Sequence, residues 1–377
     1  MIESKDFFES IKSLGIDFFT GVPDSLLKNI CSYITDHTTS EDHIISSNEG
    51  SSMGLAIGYN LATGRIPLVY MQNSGFGNIV NPLASLADSD VYQIPMLLMI
   101  GWRGEPGVKD EPQHVKQGKI TIGLLETIGI DYEILPTNID EARDSLKRIV
   151  QKAKDNSCPC AIVIKKNTFA DYKLKKIDKT DYEMDREAAI KEILANTKEN
   201  DIIVSTTGKA SREVFECRAE NNQSHNKDFL TVGGMGHASQ IALGIAMKKP
   251  NKRVLCIDGD GSVLMHMGGL GIIGEISPKN LVHMVINNGA HDSVGGQPTI
   301  GFQIDFSRIA KDLNYANTYQ VKTKKELGLI LNEIKVTDKG PVLIEVQVNK
   351  GARADLGRPT ISPVNNKSNF MKFISQK

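Results

Sequence analysis

Short apolar runs alternate with helix-like stretches along the whole chain. In the first half the runs fall at residues 16–19, 43–46, 68–71, 96–100 and 161–164, with helical patterns such as 50–61 and 139–153 between them. In the second half they fall at 202–205, 254–257, 281–286, 317–321 and 342–346, again separated by helical stretches. Runs this short are strands, and strands that alternate with helices build parallel sheets through crossover connections. The pattern breaks in DYKLKKIDKTDYEMDRE (171–187), which is charged and has no apolar period. It reads as an exposed linker between two α/β domains.

Length agrees with that division, since 377 residues exceed what one hydrophobic core organises. Charge is close to balanced, with 44 basic residues against 45 acidic ones, so no nucleic-acid partner is expected. No apolar run reaches the roughly 18 residues of a membrane helix, so no membrane partner is expected either. The N-terminal MIESKDFFES mixes acids with apolar residues and lacks the form of a signal peptide. The cysteines, at 31, 158, 160, 217 and 256, form no CxxC pair and read as buried thiols of a cytoplasmic protein. The CPC at 158–160 looks like the start of a strand rather than a redox or metal motif. Many of the 33 glycines sit in clusters, which suggests backbone running close to a ligand.

Two motifs carry chemistry. VLCIDGDGS (254–262) is an apolar strand running into Gly259, Asp260 and Gly261, and LVHMVINN (281–288) is another running into Asn287 and Asn288. In an open α/β sheet, ligands bind beyond the carboxyl ends of strands, so both motifs point at one crevice. Asp260 offers a carboxylate oxygen and Asn288 an amide oxygen. These suit Mg²⁺, which takes few protein ligands and fills its shell from phosphates and water. Gly259 and Gly261 let backbone amides approach phosphate oxygens, and Ser262 stands where a helix would begin, with N–H groups that favour an anion. The pair of motifs, with 28 positions from Asp260 to Asn288, resembles the signature of thiamine diphosphate enzymes. That resemblance implies thiamine diphosphate and Mg²⁺ as cofactors, with Asp260, Asn288 and the backbone carbonyl of Ala290 on the metal. A GxGxxG match at 269–274 does not compete. A dinucleotide motif follows its strand directly, whereas this one lies well past it, in what reads as a closely packed helix.

Thiamine chemistry also needs a carboxylic acid beside the aminopyrimidine ring to share a proton with it. The segment IISSNEGSSMGLAIGY (44–59) resembles the helix that carries this acid in the family, and Glu49 takes its place. Gly50, Gly54 and Gly58 recur every four residues and give that helix one smooth face. GGMGH (233–237) resembles the segment that holds the cofactor bent. There the Gly233 carbonyl would accept from the aminopyrimidine and Met235 would wedge between the two rings, with Gly236 a further cofactor-binding position. The resemblance implies two doubly wound parallel-sheet domains with no middle domain. The pyrimidine-binding domain would span 1–170, a linker 171–185, and the diphosphate- and Mg²⁺-binding domain 186–377. It also implies a homo-oligomer, at least a dimer, because the glutamate and the metal site of one centre come from different subunits.

For the substrate, the two-domain plan is similar to the decarboxylases of phosphonopyruvate and sulfopyruvate, a resemblance running from Gly21 to Lys367. GVPDSLL (21–27), GWRGEPGVKDEPQH (101–114), NNGAHDSVGGQPT (287–299) and RADLGRPT (353–360) carry it. These substrates are 2-oxo acids with a tetrahedral anion on C3, which calls for Arg or Lys. Arg103, Lys109, Arg353 and Arg358 are the candidates. Asp24 or Ser25 would lie near the reacting carbon, and His114 is a candidate proton donor. Decarboxylation of 3-phosphonopyruvate is the expected reaction. Sulfopyruvate decarboxylation, a thiamine-dependent carboligation and an NAD-linked oxidation are its rivals in that order.

Overall fold

The structure, a computed structural model, describes residues 1–177, 179–334 and 340–375. The chain forms two compact units, Met1–Ile177 with Ser293–Pro298, and Asp178–Asp292 with Thr299–Lys377. Among the described residues, each unit is built on one six-stranded sheet.

In the first unit the strands are β1 (Phe19–Gly21), β2 (His43–Ile45), β3 (Leu68–Gln72), β4 (Met96–Gly101), β5 (Asp131–Ile134) and β6 (Pro159–Ile164). They run parallel in the order β2-β1-β3-β4-β6-β5. The second unit has β7 (Ile202–Ser205), β8 (Asp228–Leu230), β9 (Val254–Gly259), β10 (Leu281–Asn287), β11 (Asn317–Val321) and β12 (Val342–Gln347). Their parallel order, β11-β12-β10-β9-β7-β8, is that of the first sheet read from its other edge. In both sheets the chain steps to one side of the first strand and then crosses to the other. The switch points therefore lie between β1 and β3 and between β7 and β9.

Successive side chains of a strand point to opposite faces, and here both faces are covered. Along β4, Leu97 and Met99 enter one core while Met96, Leu98 and Ile100 enter the other. Along β10, Val282, Met284 and Ile286 face one core, and Leu281 and Val285 the other. Continuous apolar runs are what a parallel sheet buried on both sides requires.

Two expectations need correction. The run at 16–19 is not a strand; Ile16 is buried, but β1 begins at Phe19 and ends at Gly21. A Cβ on Gly21 would lie 2.1 Å from the Tyr70 carbonyl oxygen, so only glycine lets this strand close on β3. β5 has no apolar run because it is an edge strand. Its Asp131 and Glu133 meet Lys152 and Arg148 instead of a core. The glycine-rich helix Gly268–Ile276 is packed as expected, since a Cβ on Gly274 would lie 1.6 Å from the Leu313 carbonyl oxygen. The five cysteines are free, and burial pushes the Cys160 thiol up to about 12, which leaves it inert at neutral pH.

Candidate functional site

In the first unit, the candidate residues stand at the carboxyl ends of adjacent strands. Glu49 opens the helix Glu49–Thr63 after β2, with Asn48 as its cap, whose side chain accepts from the Gly50 N–H at 2.7 Å. The Glu49 carboxylate is buried, and Oε2 accepts from Asn78 Nδ2 at 2.7 Å. Gly75, in the turn after β3, lies so close that a Cβ there would stand 2.2 Å from Oε1. Asp24, after β1, is fully buried, and burial raises its pKa. Its Oδ2 accepts from the Leu26 N–H at 2.8 Å, while Oδ1 has no partner among the described residues.

After β4, Arg103, Ser25, Asp110 and His114 form one connected group. Asp110 accepts from Arg103 Nε at 2.8 Å and Nη2 at 2.5 Å, from the Gly104 and Glu111 amides at 2.8 and 2.7 Å, and from His114 Nδ1 at 2.9 Å. Burial alone would raise its pKa, but these donors outweigh it and hold the carboxyl well below the usual range. An ionised carboxylate only accepts, so Nδ1 of His114 carries the proton and Nε2 is left to act. The remaining guanidinium nitrogen, Nη1, donates to Ser25 Oγ at 2.5 Å. Lys109 is exposed beside this group.

In the second unit, Gly259 ends β9 and Asp260 follows it, buried. One carboxylate oxygen of Asp260 accepts from Thr299 Oγ1, and burial raises its pKa to about 6. Asn288 follows β10. Its Oδ1 accepts from the Ala290 N–H at 3.1 Å, and its Nδ2 donates to Asp292 Oδ2 at 2.7 Å. Asp292 is in turn held by Arg186 Nη1 at 3.0 Å, and Arg186 by Glu213 at 2.8 Å. The neighbouring Asn287 donates to Glu345 at 2.8 Å and to the Gly301 carbonyl at 2.7 Å, so the loop after β10 is pinned from several sides. Ser262 Oγ accepts from Thr206 Oγ1 at 2.9 Å and from the Gly236 N–H at 3.0 Å, which ties the ends of β7 and β9 to the turn at 233–236. Gly234 and Gly236 have φ of 68° and 86°, a left-handed conformation that glycine adopts freely. The half-buried Met235 reaches back toward Gly261, where a Cβ would stand 3.5 Å from its Cε.

Arg353 is enclosed by three carboxylates: Glu187 at 3.0 Å, Asp355 at 3.3 Å and Glu216. Arg358 is exposed. Sequence reasoning passes over Asp110, Asn78 and Thr299. Of these, only Asp110 leaves a local sign: it stands four residues before His114, whose Nδ1 it meets from just ahead of the helix Pro112–Ile128.

Two family models match the chain. The "Thiamine pyrophosphate enzyme, N-terminal TPP binding domain" covers residues 3–123, and the "Thiamine pyrophosphate enzyme, C-terminal TPP binding domain" covers residues 206–346. The phosphonopyruvate decarboxylase of Streptomyces viridochromogenes is 31% identical over 390 residues, spanning 100% of this chain and 96% of its own. The chain belongs to the thiamine pyrophosphate enzyme family. The Streptomyces hygroscopicus phosphonopyruvate decarboxylase is also 31% identical, over 100% of this chain and 95% of its own. The sulfopyruvate decarboxylase of Methanosarcina acetivorans is 27% identical over 84% of each chain. Among the described residues, no helix is long and apolar enough to cross a membrane.

The residues present suit the cofactor of this family. Asp260 and Asn288 offer hard oxygens at the ends of adjacent strands, the donor type Mg²⁺ takes. Gly261, between Met235 and His291, leaves a cradle that a larger side chain would fill.

Proposed function

We propose that this chain is a thiamine diphosphate- and Mg²⁺-dependent decarboxylase that converts 3-phosphonopyruvate to phosphonoacetaldehyde and CO₂ in the biosynthesis of phosphonates such as 2-aminoethylphosphonate. The observation that carries it is similarity over the full chain to two phosphonopyruvate decarboxylases. The first unit would serve the pyrimidine ring and the second the diphosphate. When bound, the cofactor supplies the electron sink for the pair left by departing CO₂.

The chain's own residues divide the remaining work. Asp260, Asn288 and the Ala290 carbonyl would hold Mg²⁺, while the amides around Gly259, Gly261 and Ser262 approach the diphosphate. Gly233, Met235 and Gly236 would hold the ring end. Glu49, kept in place by Asn78, would share a proton with the pyrimidine. Asp24 or His114 would return a proton to the product carbon. Asp24 suits this through a pKa raised by burial, and His114 would do it as an imidazolium, giving the Nε2 proton while Asp110 holds Nδ1. Loss of CO₂ makes the step irreversible and draws forward an unfavourable carbon–phosphorus bond formation ahead of it.

The purified protein with thiamine diphosphate and Mg²⁺ should release an aldehyde from 3-phosphonopyruvate far faster than from pyruvate. Preferential turnover of sulfopyruvate would move the substrate assignment to the second group of relatives. Products that join two carbon skeletons when an acceptor aldehyde is added would indicate carboligation. Thr299→Val should weaken Mg²⁺ by roughly 10–100-fold in a titration followed by activity, since it removes the donor that orients Asp260. An unchanged Mg²⁺ requirement would separate Thr299 from the metal.

The active form would be a homo-oligomer, at least a dimer. One face of the helix Glu49–Thr63 is open among the described residues: none of them comes within 4 Å of where a Cβ on Gly54 or Gly58 would stand, and Leu61 is 71% exposed. Some relatives are themselves named as alpha and beta subunits.

A further inference from the structure

We propose that a cavity of about 210 Å³ in the first unit, lined by Ser25, Trp102, Arg103, Lys109, Asp110 and Lys166, is the subsite for the tetrahedral anion on the substrate's third carbon. The inference rests on the substrate class proposed above and selects between the basic segments that the sequence left open.

Charge is the first argument. Two acids, Glu105 and Asp110, also face the cavity, and both are already matched. Asp110 is bound to Arg103 by two hydrogen bonds, and Glu105 pairs at 2.8 Å with Lys165, whose ammonium lies over the Trp102 ring. Lys109 and Lys166 have no ion pair among the described residues. Two lysine charges are therefore left for a ligand, and a phosphonate dianion brings two of the opposite sign. Of the other two basic candidates, neither lines this cavity, and Arg353 is already neutralised by three carboxylates.

Hydrogen bonding is the second. With Nε and Nη2 spent on Asp110, Arg103 keeps Nη1 on Ser25 Oγ. The hydroxyl accepts there, so its own proton is left to donate to an anion oxygen. Asp110 is thus a positioning residue: it fixes the guanidinium without occupying its third nitrogen.

Location is the third. The backbone of Arg103 is clasped by Asn73, which donates to its carbonyl at 2.8 Å and accepts from its N–H at 3.2 Å. Two residues on in the same turn, Gly75 abuts the Glu49 carboxylate. One turn after β3 therefore sets both the cationic wall and the buried glutamate. Lys166 enters from the end of β6, next to β4 in the sheet, so the lysines approach from separate loops. Nothing in the sequence joins Lys166 to Arg103.

The test uses Lys109→Gln and Lys166→Gln in the full-length, cofactor-loaded protein. Kinetics on 3-phosphonopyruvate, sulfopyruvate and pyruvate are paired with calorimetric binding of phosphonoacetate. Each substitution should weaken phosphonoacetate roughly tenfold, the value of one charge-assisted hydrogen bond, and raise KM for phosphonopyruvate alike with kcat nearly kept. The kcat/KM ratio of phosphonopyruvate to pyruvate, which carries no anion on that carbon, should fall. Phosphonoacetate binding and KM indifferent to both lysines, or an equal loss for pyruvate, overturns the subsite while leaving the decarboxylase reading intact. If the wild-type protein decarboxylates none of the three acids yet binds phosphonoacetate through these lysines, the subsite stands and the decarboxylase reading falls.

Discussion

Glu49→Gln should retain cofactor binding and lose turnover by roughly 10²–10⁴-fold, the range expected when a positioned proton-transfer group is removed. The substitution is nearly isosteric. The Asn78 amide, 2.7 Å from Oε2, can donate to the glutamine oxygen, and the close packing against Gly75 is kept. Fold and cofactor affinity, read by thermal melting and by a thiamine diphosphate titration, should therefore stay near wild type. What disappears is a group that exchanges a proton. A second variant, Asp260→Asn, should also be inactive but for a different reason, a weakened hold on Mg²⁺. Mixed after partial unfolding and reassembly, the two inactive proteins should regain activity. If one centre draws its glutamate from one subunit and its metal ligands from another, a mixed dimer has one centre with both residues intact. Near-normal turnover by Glu49→Gln would remove it from the mechanism. A mixture as inactive as its parts would place both residues in centres built by one subunit.

The parts of the molecule legible in sequence were those where one short segment carries both the signal and the chemistry. Strand plus GDG, and strand plus Asn-Asn, each announce a buried strand together with the polar turn at its end, and the structure places them on the adjacent strands β9 and β10. The strands missed or misplaced lacked such a signal. β5 needs little apolar content because it closes an edge, and β1 is set by the room Gly21 leaves for Tyr70 rather than by the run that precedes it. Charged side chains were the least legible. Arg103 and Arg353 look alike in sequence, yet one lines a cavity beside lysines that have no ion pair among the described residues, and the other is enclosed by three acids. Which partners a long side chain finds is decided by residues far along the chain: Glu216 lies well before Arg353, and Thr299 well after Asp260.

The same blindness hides the pair that should matter most for stability in the second unit. Arg218 and Asp228 are both fully buried, bonded through Nε at 3.1 Å and Nη2 at 3.2 Å, with Gln223 accepting from Nη1 at 2.7 Å. Arg218→Met should cost roughly 3–5 kcal/mol, because it leaves a buried carboxylate without its hydrogen-bonded partner, with only the more distant charge of Lys227 near it. In a unit of this size that lowers the melting temperature by roughly 10 °C. The loss should depend on pH in a defined direction. Burial already raises the Asp228 pKa even with the arginine present, and removing the cation raises it further. A group whose folded pKa lies above its unfolded value favours the folded state below the unfolded value, and that contribution is lost as pH rises through the folded one. The variant should therefore be weakest at neutral and alkaline pH and should recover as pH falls. Replacing both partners, Arg218→Met with Asp228→Leu, should restore most of the loss at pH 8, since a well-packed apolar pair has no charge to desolvate. Denaturant melts of the three proteins at pH 5 and pH 8 decide it. An Arg218→Met protein as stable as wild type at pH 8, or one that loses more stability at pH 5, would show that this ion pair does not hold β8 to its helix.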